Sequence, residues 1–309
     1  MNTMTGTAAR RLMPDPTTRV RVSGGDELDV WVIGKGTPVV LVHGAVMRDF
    51  LVPLADRLTS WGDHQVIHYG RRGYGGRGLP AEATDIPGQV VDVLAILEAL
   101  GIEKAHVAGH SFGGYIAMEL AARAPDRVLS ALLLEPLLGQ VVRSAEGQEE
   151  MRAVAEVAMP AVIEQLGNGD GHGAVSAFYD ATSGVENARE LVERSLPRGG
   201  RELALRDIAT FLQVDWPAMG AWMAEPLRLP DAAMPIVWVG SADSGAAFAE
   251  SRAYLEEQLP GTTACTVADV GHYFPLLKPA ETAGAVHEWL TKLRLGRLDG
   301  GRRTLARST

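Results

Sequence analysis

Short, continuous apolar runs alternate along this chain with longer segments of helical periodicity, and this alternation limits the possible folds more than any other feature. Pro38–Val42 (PVVLV), His64–Tyr69, Lys104–Ala108, Val128–Leu134 (VLSALLL), Pro235–Val239 (PIVWV) and Thr262–Val267 read as strands. The unbroken apolar ones have the character of strands buried on both faces. Between them, Phe50–Trp61, Gln89–Leu100 (stopped by Gly101), Ser111–Ala124 (stopped by Pro125), Ala246–Gln258 and Ala280–Leu293 read as helices. Arg19–Val22 and Leu28–Ile33 form an expected antiparallel hairpin around Gly24-Gly25. Strand–helix alternation of this kind implies an α/β fold, a mostly parallel sheet with helices on both faces.

The rhythm breaks from Gly139 to Pro230, where helical patterns such as Gln148–Ala158 and Leu203–Gln213 and a loop at Asn168–Gly173 occur without a strong strand. An α/β sheet interrupted in this way is most simply a core with a helical cap. The expected organisation is a core over residues 19–138 and 231–295, a cap over 139–230, and flexible tails at 1–18 and 296–309.

Bulk properties narrow the function. The 309 residues carry a formal charge of −9, which offers no electrostatic footprint for nucleic acid or an anionic membrane. One cysteine, Cys265, excludes an internal disulfide and a cysteine-based metal site, and reads as a strand residue entering the core. The first residues lack the apolar run of a signal peptide, and no apolar stretch approaches the ~20 residues of a membrane span. The expectation is a soluble, cytoplasmic protein acting on a small molecule, without cofactor or metal, with a homodimer left open.

The chemistry-bearing signal is Gly109-His110-Ser111-Phe112-Gly113-Gly114. G-x-S-x-G is weak alone; its weight here comes from lying between the strand KAHVA and the helix FGGYIAMELAARA. That strand–turn–helix setting is what a nucleophile elbow requires. A serine hydroxyl needs a base, and His272, in ADVGHYFPLL between the last strand and the last helix, is the best placed of the eight histidines. His110 points elsewhere from a tight turn, His64 and His68 are no metal pair, and His106, His172 and His287 read as packing, loop or surface residues. The base needs an orienting acid. Asp243, directly after PIVWV, is preferred, because catalytic groups gather at the carboxyl ends of parallel strands. Glu135, ending the preceding core strand in LLLEP, is the alternative. The expected oxyanion donors are the backbone N–H groups of Phe112 and of Ala45 in His43-Gly44-Ala45-Val46, with His43 a structural hydrogen-bonder beneath that loop.

Together HGAV, GRRGYGG, GHSFGG, GSAD and GHYFPLLKP resemble the α/β-hydrolase fold superfamily, especially its capped esterase and cofactor-free haloperoxidase-like branch, over about residues 25–294. The resemblance implies an eight-stranded, mostly parallel sheet, and Ser111, Asp243 and His272 as a catalytic triad. Relatives carry Asp and Ser where Gly70 and Arg77 stand. Arg71, Arg72 and Arg77 could bind an anionic group, with a surface turn the simpler reading.

The expected activity is hydrolysis of a carboxylic ester, lactone or thioester through acyl-Ser111. C–C hydrolysis, acyl transfer or lyase/cyclase chemistry on the same triad is the alternative, and a non-catalytic ligand-binding receptor a third reading. Of the cap's Met151, Met159, Phe178, Phe211, Trp216, Met219, Trp222 and Met223, some would line an apolar pocket, with Phe178, Phe211, Trp216 and Trp222 the leading candidates.

Overall fold

Each apolar run becomes a strand of one sheet in the computed structural model, which describes residues 12–267 and 270–297. The eight strands are β1 (Thr18–Arg21), β2 (Glu27–Gly34), β3 (Thr37–Val42), β4 (His64–Tyr69), β5 (Ala105–His110), β6 (Val128–Leu134), β7 (Ile236–Ser241) and β8 (Thr263–Val267). Their spatial order is β1-β2-β4-β3-β5-β6-β7-β8. The β1–β2 and β2–β4 pairings are antiparallel and the remainder parallel, so the entry hairpin forms one edge.

The central strands are apolar throughout because helices cover both faces. The crossover helices are α1 (Val52–Thr59), α2 (Ile86–Ala99) and α3 (Phe112–Arg123). On one face Leu54 and Leu58 of α1 pack in a cluster with Val286 and Leu290 from the C-terminal end of the chain; on the other, Val93 and Ile96 of α2 pack with Ile116 and Leu120 of α3. Asp85 caps α2 by accepting from Gly88 N–H at 2.7 Å.

Residues 139–230 carry α4 (Ala145–Arg152), α5 (Met159–Gly167), α6 (Gly171–Ser183), α7 (Ala188–Ser195), α8 (Gly200–Thr210) and α9 (Trp216–Ala224). Two π-helical stretches, Ala153–Ala158 and Phe211–Asp215, interrupt this helical layer. The chain then returns through β7, α10 (Ala246–Gln258) and β8 to the short α11 (Phe274–Leu277) and to α12 (Pro279–Arg294).

The described part of the expected N-terminal tail is bonded to the sheet edge: Trp31 donates Nε1–H to the Pro14 carbonyl at 2.9 Å, and Val32 N–H donates to Thr17 Oγ1 at 3.0 Å. The rest of that tail, 1–11, and 298–309 of the other lie outside the described residues. Among the described residues, no helix is long and apolar enough to cross a membrane.

Sheet register determines where chemistry can gather. His110 pairs with Leu134, and Leu134 with Val239. The next residue on each strand, Ser111, Glu135 and Gly240, therefore lies at the same carboxyl edge, where open parallel sheets place their ligands.

Candidate active site

At the end of β5 the chain must turn from strand to helix within one residue. Ser111 makes that turn at φ 52°, ψ −119°, a conformation that costs a side-chain-bearing residue ~1–3 kcal/mol. The flanking glycines make it possible. A Cβ on Gly109 would stand 2.0 Å from the Gly113 carbonyl oxygen, and one on Gly113 would stand 2.2 Å from that of Val42. Ser111 N–H donates to Leu134 O at 3.0 Å, which fixes the turn to β6.

His272 sits in a short 3₁₀ turn, Gly271–Tyr273, and its ring is sandwiched between His110 (centroids 4.6 Å apart) and Phe248 (4.7 Å). This burial presses the imidazole down to about 3, so at neutral pH it is in the unprotonated, basic form. His110 borders the same cavity, with its ring held by other contacts. Its Nε2–H donates to the His272 carbonyl at 2.9 Å, and its ring stacks on Phe50.

The partner of His272 is Glu135. His272 Nδ1 lies 2.9 Å from Glu135 Oε2, while Glu135 Oε1 accepts from Ser241 N–H at 2.6 Å. Glu135 holds this position at φ 50°, another non-glycine residue in left-handed backbone. Burial pushes its carboxyl up, while the hydrogen bond from the Ser241 N–H works the other way and favours the carboxylate.

Asp243, the acid preferred from sequence, is not against His272. It is exposed, and its Oδ1 accepts from Ser241 Oγ at 2.5 Å and from Gly271 N–H at 3.1 Å, so it supports the loop just before His272. Those hydrogen bonds, the one from Ser241 first, hold its carboxyl below the usual range. The physical reason for the exchange lies in the register. β6 and β7 are neighbours, so both acids emerge at the same edge, and it is the turn at Glu135 that swings its carboxylate under the imidazole.

Ser111, His272, Ala45 and Phe112 border one cavity of about 480 Å³ between sheet edge and cap. Gly44 packs so closely that a Cβ there would stand 3.3 Å from Ser111 Cβ. Beneath the loop, His43 Nε2 accepts from Arg71 N–H at 3.1 Å, so its Nδ1–H donates to Gly44 O at 2.7 Å. Burial holds His43 well below the ordinary imidazole range, which suits a neutral structural bridge.

From the cap, Met151, Met159, Phe178, Phe211, Trp216 and Met219 line the cavity. Trp222 does not: it stacks on Tyr115 and donates Nε1–H to Glu119 Oε1 at 2.9 Å, joining cap to core. The sequence reading missed Phe50, Tyr115, Phe248 and Tyr273 as lining residues. Phe248 and Tyr273 carry a signal in retrospect, as aromatics beside the expected acid and base. Among the described residues, no lysine or arginine lines the cavity.

Of the three arginines after β4, only Arg77 stands in an exposed turn, as the simpler reading expected. Arg71 and Arg72 are buried, paired with Asp215 and Asp92 respectively, and Arg77 is paired with Asp29. Gly70 donates its N–H to Asp29 O, and a Cβ there would meet Arg48 at 3.0 Å.

A histidine cluster that the sequence reading dispersed lies at the opposite, amino end of β4. The ligand atoms of Asp63, His64 and His287 lie within 4.8 Å of one another. There His64 Nε2 meets His287 Nδ1 directly at 3.0 Å, and Arg294 is paired with Asp63.

Comparison with known proteins agrees with this architecture. The model of the alpha/beta hydrolase family matches residues 39–285. A putative carbamate hydrolase of Azorhizobium caulinodans is 40% identical over 113 residues, 36% of this chain and 42% of that protein. Esterase YbfF of Escherichia coli is 26% identical over 257 residues, 82% of this chain and 93% of that one. The match thus spans less than half of the carbamate hydrolase's length and nearly all of the esterase's. Among solved structures, a thermophilic esterase from Thermogutta terrifontis superposes with a TM-score of 0.65 at 22% identity, covering 89% of this chain and 98% of its own. A strand-ordered sheet, an elbow serine and a family match over residues 39–285 make this chain an enzyme of the alpha/beta hydrolase family.

Proposed function

We propose that the protein hydrolyses neutral carboxylic esters with a substantial apolar part, through an acyl intermediate on Ser111. The observation that carries the reading is that His272, paired behind the cavity with the buried Glu135, shares the cavity edge with a serine held at φ 52°. In this mechanism neutral His272 takes the Ser111 proton through Nε2 as Oγ bonds to the ester carbonyl carbon. The carbonyl oxygen becomes the oxyanion, facing the N–H groups of Ala45 and Phe112. Glu135, bonded at Nδ1, stabilises the imidazolium that forms. Collapse expels the alcohol, which receives the proton from His272. Water then adds to the acyl carbon, giving its proton to His272, and the acid leaves as Ser111 regains its hydroxyl proton.

The ester class follows from the walls. Four methionines and eight phenylalanine, tyrosine or tryptophan side chains are in the lining, and the acids at the rim are Glu150 and Asp243. Glu150 is already used, accepting from Ala246 and Ala247 N–H at the start of α10. An anionic substrate would enter a cavity where no described residue offers a cation to receive it, at a desolvation cost that a neutral ester avoids.

The test is a panel of p-nitrophenyl esters graded by acyl length, beside a matched set whose acyl chain ends in a carboxylate. Hydrolysis of the neutral set with a burst of one p-nitrophenol per Ser111 is expected. Preference for the carboxylate-bearing set would overturn the substrate class, and turnover undiminished in Ser111→Ala would overturn the mechanism.

A further inference from the structure

The glycine-rich loop after β4, GRRGYGG, is where the cap is fastened to the core. Gly75 and Gly76 N–H groups donate to the two carboxylate oxygens of Asp207 on α8, each at 2.8 Å. Thr210 Oγ1 donates to the Gly73 carbonyl at 2.9 Å. The last anchor is different in kind, because it continues past the loop into the oxyanion region. Asp215, at the end of the π-helical stretch whose Phe211 lines the cavity, receives both arms of the Arg71 guanidinium, at 2.9 and 2.6 Å.

The same guanidinium donates to the Gly44 carbonyl at 2.8 Å and lies 4.5 Å over the Phe112 ring. Asp215 Oδ2 also accepts from Tyr74 Oη at 2.5 Å, and that hydroxyl accepts from Val46 N–H at 3.2 Å. Val46 needs the help: it is held at φ 63°, an unfavourable conformation for a β-branched residue. One cap carboxylate therefore reaches, through two side chains, the residues on both sides of Ala45 and the side chain of Phe112. Those are the two residues whose N–H groups face the oxyanion in the proposed mechanism.

We infer that Asp215 is a positioning residue: through Arg71 and Tyr74 it sets the geometry of the oxyanion hole, so that the hole is complete only while the cap is docked. The inference rests on the serine-hydrolase reading of this site. An arginine is suited to the task because its planar fork can bind a carboxylate with two parallel bonds while another N–H serves a carbonyl; a lysine ammonium on the same stem cannot do this. With Asp215 amidated, one arm of Arg71 faces an amide N–H₂ instead of an oxygen, and the Gly44 and Val46 contacts lose their common anchor.

The experiment compares Asp215→Asn and Arg71→Lys with Asp92→Asn, which disrupts the equally buried Arg72–Asp92 pair on the same loop but touches neither oxyanion residue. For each full-length variant, kcat and KM are measured on the best p-nitrophenyl ester. Affinities are measured for an alkyl trifluoromethyl ketone, which becomes tetrahedral on Ser111, and for the corresponding alkyl methyl ether, which does not. Thermal melting and stoichiometric labelling by a fluorophosphonate report folding and the serine itself.

Loss of an oxyanion donor costs ~10²–10³-fold, and misplacing rather than deleting one is expected to lower kcat on the order of 10–100-fold. Trifluoromethyl ketone affinity should fall by the same factor as kcat/KM. KM and ether affinity should change by less than about 2-fold, with Asp92→Asn keeping kcat. A fall confined to KM, an equal loss of both ligands, or the same kcat loss in Asp92→Asn would overturn the inference and leave the hydrolase reading standing. Failure of the wild type to label at Ser111 and to turn over any ester would overturn both.

Discussion

The two walls of the cavity are made in different ways. On the core side, backbone is driven into contacts that leave no room for change. Ser111, Glu135 and Val46 stand at positive φ, and Cβ atoms added to Gly109 or Gly113 would overlap main-chain oxygens. On the cap side, the lining comes from methionine, phenylalanine and tryptophan on helices interrupted by two π-helical stretches. Methionine thioethers and long side chains repack at modest cost, and π-helical turns often occur where a helix surface has been re-aimed at a site. The contrast separates two jobs. In the proposed mechanism the reacting groups are over-determined by the sheet edge, and the part of the substrate that does not react would meet a surface able to adapt.

This comparison can be broken by substitutions on either wall. The largest effect is expected on the core side. Ser111→Ala should lower kcat/KM by at least ~10³-fold while melting as the wild type does, since the small side chain removes the hydroxyl and nothing else. Next comes the contrast between the acids. Glu135→Gln should cost on the order of 10³-fold in kcat, because the imidazolium loses its counter-charge. Asp243→Asn, which alters only a loop anchor, should cost less than about 10-fold by the scale of one exposed hydrogen bond. Equal losses from the two would remove Glu135 from the proposed role.

A third effect concerns pH. Burial lowers the His272 imidazole from 6.5 to about 3, and the reaction needs its neutral form. kcat/KM should therefore persist as pH falls through 6.5 and decline only on the approach to 3. Stability changes with the same sign. In that window the unfolded chain binds a proton at this histidine that the folded one does not, so the stability present above 6.5 is progressively lost below it. An acid limb centred at 6.5 or above would show that the imidazole is not desolvated as described.

The smallest effect belongs to the cap. Phe178→Ala or Trp216→Ala should shift the preferred acyl length and change kcat/KM among esters by roughly 10-fold, since a few methylenes in an apolar pocket are worth ~1–3 kcal/mol. A loss as large as that of Ser111→Ala would mean that the cap wall is not the adaptable one.

What was legible in the sequence follows the same division. The strands, the elbow serine and the histidine at the cavity were readable because each is local: an apolar run, a serine between flanking glycines, a histidine between the last strand and the last helix. The choice between Asp243 and Glu135 was not, because both end neighbouring parallel strands and only the φ of one residue decides which carboxylate turns under the ring. A clue was present in LLLEP, where a carboxylate follows directly on a wholly buried strand. Arg71 and Arg72 were misread for a related reason. Their partners, Asp215 and Asp92, lie 144 and 20 residues away, and no local pattern announces a buried ion pair. Trp222 was placed in the pocket on residue type alone, whereas its indole N–H required a buried acceptor and found Glu119 at the cap–core contact.

The catalytic assignment is tested most directly by the rate at which a small fluorophosphonate modifies the purified protein, with the modified residue mapped by mass spectrometry. One adduct per chain on Ser111 is expected, lost in His272→Ala, strongly slowed in Glu135→Gln and little changed in Asp243→Asn. Rapid modification at Ser111 that persists unchanged in Glu135→Gln but disappears in Asp243→Asn would contradict it, and would return the role of the acid to Asp243.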